Sequence, residues 1–179
     1  MTLRLFAALP LPEDLARRLK TLQKGVPGAR WRPVENFHLT LRFFGEMDER
    51  RAEDLDGELA HLTAKRFDLA LKGTGWFGKT QPHALWLGAQ GGDRLTALQE
   101  KTERAARKAG LDPETRKFAP HVTLAYLQGT PLEKLIAYQK RLADFETDRF
   151  PVTHFSLYAS WPRRGDANIY ECLADYPLI

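Results

Sequence analysis

The sequence predicts one domain of mixed helix and strand, organised as two related halves, and three observations carry that expectation. The chain has 179 residues, enough for one sizeable core but short for two independent ones. Segments with leucines at helical spacing are interspersed with short runs of apolar–polar alternation along the whole length. His38-Leu39-Thr40-Leu41 returns as His121-Val122-Thr123-Leu124 about half a chain later, each copy after a helix and a turn, so that two related lobes are expected.

Taken in order, Leu3 to Leu9 is a short apolar run stopped by Pro10 and reads as a strand. Pro12-Glu13-Asp14 then opens a helix carrying Leu15, Leu19 and Leu22, which Gly25, Pro27 and Gly28 break. Phe37 to Phe44 alternates and stops at Gly45, as a strand does. Asp48 caps a second helix expected to reach about Lys65. Phe67 to Lys72 and Ala84 to Gly88 read as strands on either side of a glycine-rich connection. A third helix runs from Asp93 to Lys108 and ends at Gly110; a strand follows at His121 to Leu127. Thr130-Pro131 opens a fourth helix to about Leu142, and Val152 to Ser160 and Ile169 to Leu173 read as closing strands.

Hydrophobic residues at 43% and charged residues at 28% give ample core material and exclude wholesale disorder, so a soluble globular protein is expected. A formal net charge of +4 is compatible with a polyanionic substrate without demanding one. Cys172, the sole cysteine, cannot form an internal disulfide and is expected as a small buried thiol in a strand. A reducing cytoplasm fits that usage. Arg4 interrupts the opening apolar run, which is too short for a signal sequence or a membrane span, so no membrane association is expected. No protein partner can be read from the sequence.

The repeated His-x-Thr pattern is where chemistry is expected. In a strand, residues two apart share a face, so His38 with Thr40, and His121 with Thr123, each set an imidazole beside a hydroxyl about 7 Å along the strand. Leu39, Leu41, Val122 and Leu124 then face a core. Two such strands facing one another surround a phosphate-sized ligand. One imidazole can accept a proton from water while the other, protonated, donates one to a leaving oxygen, and the threonines can hold the non-bridging oxygens. This chemistry needs neither a metal nor a nucleotide cofactor, and none is expected.

Two longer runs carry a family resemblance. Arg30-Trp31-Arg32-Pro33-Val34-Glu35-Asn36-Phe37-His38-Leu39-Thr40-Leu41-Arg42-Phe43-Phe44-Gly45-Glu46 resembles the first signature of the two-histidine phosphoesterases, and specifically that of the RNA 2′,3′-cyclic phosphodiesterases, also called bacterial 2′-5′ RNA ligases. Arg116-Lys117-Phe118-Ala119-Pro120-His121-Val122-Thr123-Leu124-Ala125 resembles the second. Arg4 to Leu9 and the run from Gly75-Trp76-Phe77 to Leu85-Trp86-Leu87-Gly88 are similar too, so the likeness spans nearly the full chain. It implies an α+β fold of two pseudo-symmetric lobes, each an antiparallel sheet with outer helices, flanking a central cleft. It implies opening of 2′,3′-cyclic phosphates at RNA ends, or of nucleoside 2′,3′-cyclic phosphates, to 2′-phosphates, with His38 as proton donor and His121 as proton acceptor. Ligation of RNA halves is the same step in reverse, with a 5′-hydroxyl in place of water. A non-catalytic RNA-end binder is the alternative of another class. Tyr126 departs from the pattern, since many members have an arginine there.

Arg42 and Arg116 adjoin the motifs and are candidates for the substrate rim. By strict alternation Arg42 shares the face of His38, although pairing with a carboxylate is an equally simple use of it. Phe6, Phe43, Phe118 and Tyr126 are candidates to stack a base or to fill the core. Gly73-Thr74-Gly75-Trp76-Phe77-Gly78 matches a dinucleotide-binding pattern formally but is followed by Pro82 and a strand where a helix is needed, so that reading fails. Lys101, Arg104, Arg107 and Lys108, interleaved with Glu100 and Glu103, read as a solvated helix face, and Arg163-Arg164 as a surface turn. His61, His83 and His154 lack metal-ligand spacing and read as surface or structural residues.

Overall fold

The computed structural model describes residues 1–179. Its elements are β1 (Thr2–Pro10), α1 (Glu13–Leu19), β2 (Ala29–Trp31), β3 (His38–Asp48), α2 (Glu49–Ala60), β4 (Phe67–Phe77), β5 (Ala84–Gln90), α3 (Gly92–Lys108), β6 (His121–Leu127), α4 (Leu132–Arg141), β7 (Phe150–Val152), β8 (His154–Trp161) and β9 (Ile169–Pro177). The strands form one curled antiparallel path in the order β7-β4-β5-β6-β3-β1-β8-β9, with β2 added against β6. This is the expected α+β fold in two halves, β3-β1-β8-β9 and β6-β5-β4-β7. The halves meet where Leu39 of β3 pairs with Val122 of β6, their one ladder position.

That junction explains the alternation. Leu39, Leu41, Val122 and Leu124 are all no more than 3% exposed and belong to a core cluster drawn from both halves. Each such leucine contributes about 1.5–3 kcal/mol on burial, so the opposite face of the same strands is held in position by the core beneath it. No helix is long and apolar enough to cross a membrane.

Several boundaries differ from the sequence expectation for identifiable reasons. The Asp48 cap forms, its carboxylate accepting from the Arg51 amide, but α2 stops at Ala60, where the His61 ring donates to the Gly57 carbonyl. The glycine-rich segment after Lys72 is not a connection: β4 runs on to Phe77, with a register shift between Leu71 and Thr74. Gly73 takes a φ of +67° there. The amides released by the shift are taken up by the neighbouring segment, Leu71 donating to the Thr147 hydroxyl and Gly73 to the Phe145 carbonyl. The run Val152 to Ser160 is two strands, because β7 pairs with β4 in one half and β8 with β1 in the other. Cys172 is exposed on the outermost strand β9, not buried.

Candidate active site

His38 and His121 open β3 and β6, and their positions beside the single junction between the halves bring the two motifs together. A narrow slot of about 60 Å³ is lined by His38, Thr40, His121 and Thr123, with Arg32, Asn36, Phe43, Tyr126 and Tyr170 around them. With Leu39 opposite Val122, antiparallel pairing sets each histidine near the threonine of the other strand.

Both imidazoles are fixed in the same way. Nδ1 of His38 donates to the Asn36 carbonyl at 2.7 Å, and Nδ1 of His121 to the Ala119 carbonyl at 2.6 Å. A carbonyl can only accept, so each Nδ1 carries a proton and each neutral ring keeps its lone pair on Nε2. Nε2 of His38 meets the Thr40 hydroxyl at 2.9 Å. Aromatic walls flank both rings: Phe6 and Tyr170 lie 4.9 and 5.3 Å from His38, and Phe77 and Trp86 lie 4.9 and 6.3 Å from His121. Burial among these groups lowers the pKa of His38 to about 4; the Asn36 carbonyl opposes the shift, while the charges of Arg32 and His121 add to it. Burial also lowers the pKa of His121, against the raising effect of the Ala119 carbonyl. Both imidazoles are therefore neutral near neutral pH.

Gly75 makes the second wall possible. A Cβ there would stand 2.5 Å from the Trp86 ring, so only glycine lets the indole lie across β4 beside His121.

Arg42 does not join this face. A β-bulge between Thr40 and Arg42 pairs Thr40 with Ala8 but Arg42 with Ala7, which breaks the alternation and hands the site face to Phe43. The Arg42 guanidinium is 8% exposed and donates to Glu103 at 2.5 Å, to the Asp112 carbonyl at 2.6 Å and to the Phe43 carbonyl at 3.0 Å. The shared-face expectation is thus corrected, and the carboxylate pairing is what forms. Arg116 is exposed, bound to Glu114, whose carboxyl its hydrogen bonds hold down at about 2. Arg116 and half-buried Phe118 border a second cavity of about 350 Å³ that shares Thr40, Phe43 and His121 with the slot.

Phe43 and Tyr126 are exposed at the slot mouth, while Phe6 is buried against His38. Sequence reasoning missed Arg32, whose guanidinium lies 4.7 Å over the Tyr126 ring and is 9% exposed. The one sequence signal for it was its place in the first signature run; β2 sets it there, with the Arg32 amide donating to the Leu124 carbonyl. Of the other basic residues, Lys101 donates to the Thr63 carbonyl, Arg107 to Glu103 and Arg163 to Asp166.

The chain matches the model of LigT-like phosphoesterases twice, over residues 9–86 and 87–166. It is 36% identical over 129 residues to a protein of Aeropyrum pernix named RNA 2′,3′-cyclic phosphodiesterase, covering 70% of this chain and 73% of that one. A Thermotoga maritima protein of the same name is 32% identical over 167 residues, covering 88% and 87%. The crystal structure of E. coli LigT complexed with 3′-AMP superposes with a TM-score of 0.82 at 26% identity, covering 99% of both chains.

Proposed function

Because the chain belongs to the LigT-like phosphoesterase family, we propose that it is an RNA 2′,3′-cyclic phosphodiesterase, acting as one bilobal unit of 1–179 in the cytoplasm on RNA ends or nucleoside 2′,3′-cyclic phosphates. The observation that carries this reading is the slot itself: two imidazoles, each pinned through Nδ1, bracket two threonines in a space suited to a phosphate.

In the mechanism, neutral His121 offers its Nε2 lone pair to a water, which attacks phosphorus. His38, protonated, delivers a proton from Nε2 to the departing 3′ oxygen and leaves a 2′-phosphate. The first proton moves to His121 and the second leaves His38, so the pair returns to its starting state by proton exchange with solvent. Thr40 and Thr123 donate to the non-bridging oxygens, and Arg32 adds positive charge at the rim. Burial alone keeps His38 neutral, and a diester anion beside it favours its imidazolium, so substrate and proton arrive together. No step calls for a Lewis acid.

The deciding experiment incubates the protein with nucleoside 2′,3′-cyclic phosphates and a cyclic-phosphate-ended oligoribonucleotide, and identifies the phosphate position in the products. The expected product is the 2′-phosphate. Binding without turnover would leave an RNA-end binder in its place.

A further inference from the structure

The slot of about 60 Å³ has room for little beyond a phosphate, yet a 2′,3′-cyclic phosphate is fused to a ribose that bears a base. The adjoining cavity of about 350 Å³ is of the size that small-molecule sites take, and it opens directly from the slot through Thr40, Phe43 and His121. Its walls are built for a flat aromatic guest, with the rings of Phe43, Phe77 and Phe118 around it and Arg116 and Lys117 at the rim.

One polar side chain in this cavity has no structural employment. Gln99 lies on α3 one turn before Glu103, so the two share a helix face. Glu103 is committed to Arg42, Arg107 and the Glu114 amide. Gln99 is half-buried in the cavity lining, and its amide makes no hydrogen bond within the chain. A primary amide presents a donor beside an acceptor, the arrangement that pairs two-fold with the amino group and ring nitrogen of adenine.

We infer that the cavity between β3, α3 and the segment before β6 is a nucleobase pocket, and that Gln99 reads the edge of the base next to the cyclic phosphate, favouring adenine. This rests on the phosphodiesterase reading. Gln99 is a specificity residue, remote from the proton transfers, and Glu103 is the anchor that holds its helix against β3.

The test compares kcat/KM for the 2′,3′-cyclic phosphates of adenosine, guanosine, cytidine and uridine in the wild type, Gln99→Leu and Tyr126→Leu. Leucine keeps the helix propensity of glutamine and removes the amide from a half-buried position, so the fold is retained. The wild type is expected to prefer adenosine, and Gln99→Leu to shrink that preference about tenfold, the scale of one bidentate base contact. An unchanged order, an equal loss on all four bases, or a preference that moves with Tyr126→Leu instead overturns the proposal. The dissociation constants of the four nucleoside 2′-monophosphates are measured in parallel. If the wild type turns over no cyclic phosphate, the phosphodiesterase reading falls, while the effect of Gln99→Leu on those constants still decides the pocket.

Discussion

β3 and β6 begin with nearly the same four residues and lie side by side, yet their histidines inhabit different surroundings. His38 is closed in: Nε2 is engaged by Thr40, Phe6 and Tyr170 wall the ring, and burial holds its pKa at about 4. His121 is more open, its Nε2 free, and burial lowers its pKa against the raising effect of the Ala119 carbonyl. A repeated motif therefore supplies two copies of one reagent, and the packing around each copy makes them unequal. The lowering at His38 works against the charged form that a proton donor needs, so its role depends on the bound diester anion favouring the imidazolium.

The strongest way to break this comparison is to remove each ring in turn. His121→Ala should lower kcat/KM by about 10²–10⁴ on any phosphodiester, since every substrate needs its water activated. His38→Ala should lose as much on the cyclic phosphate but far less on a diester with an activated aryl leaving group, which departs without a proton. The reverse pattern in a steady-state assay would exchange the roles.

Next in size are the hydroxyls. Thr40→Val and Thr123→Val keep the β-branched shape and should each lower kcat by about 10²-fold if they hold the phosphate oxygens. Thr40→Val also strips His38 of its Nε2 partner, so its pH profile should move where that of Thr123→Val does not. Wild-type turnover in both variants would make the threonines structural.

The pH profile sharpens the contrast further. Productive free enzyme needs His38 charged and His121 neutral, so activity falls as pH rises past the higher of the two values and as it drops below the lower. Both values lie below 6.5, so kcat/KM should peak on the acid side of 6.5. Under saturation the bound anion raises the pKa of His38, and the alkaline limb of kcat should lie higher than that of kcat/KM. Coincident profiles would remove the substrate-borne proton from the mechanism.

Arg42→Met should act on stability and leave KM nearly untouched. Leaving Glu103 without its buried partner costs about 3 kcal/mol, a fall in Tm of about 6–12 °C by calorimetry. The smallest expected effect is that of a chelator, which should leave turnover unchanged; loss with EDTA and recovery with zinc would contradict the metal-free scheme.

The reach of sequence reasoning follows the range of the forces involved. His38, Thr40, His121 and Thr123 were legible because period-two alternation beside apolar partners is local, and the core confirms it at Leu39 and Val122. Alternation failed at Arg42 because a bulge depends on the partner strand, and nothing in β3 alone announces the register shift opposite Ala7 and Ala8. The continuation of β4 through Gly73 and the break at Thr153 escaped for the same reason: their hydrogen-bond partners are far away in sequence. Arg32, Gln99, Tyr170 and Trp86 come to the site from four different elements or connections, and only tertiary structure unites them.

The exchange of strands between the halves has a consequence for how the chain acquires its structure. β1 leaves the ribosome well before β8, one of its two neighbours, which follows it by more than 140 residues. Until His154–Trp161 arrives, one edge of β1 stands open, with its apolar residues Leu5 to Leu9 unshielded. Neither half can close in the order of synthesis, since β4 and β5 must leave the first half's sequence to join β6. Assembly thus waits on pairings of high sequence separation, which makes folding slow for a chain of this size and exposes nascent β1 to pairing with a neighbouring copy. A chain cut before β8 should aggregate rather than persist as a half-sized phosphoesterase.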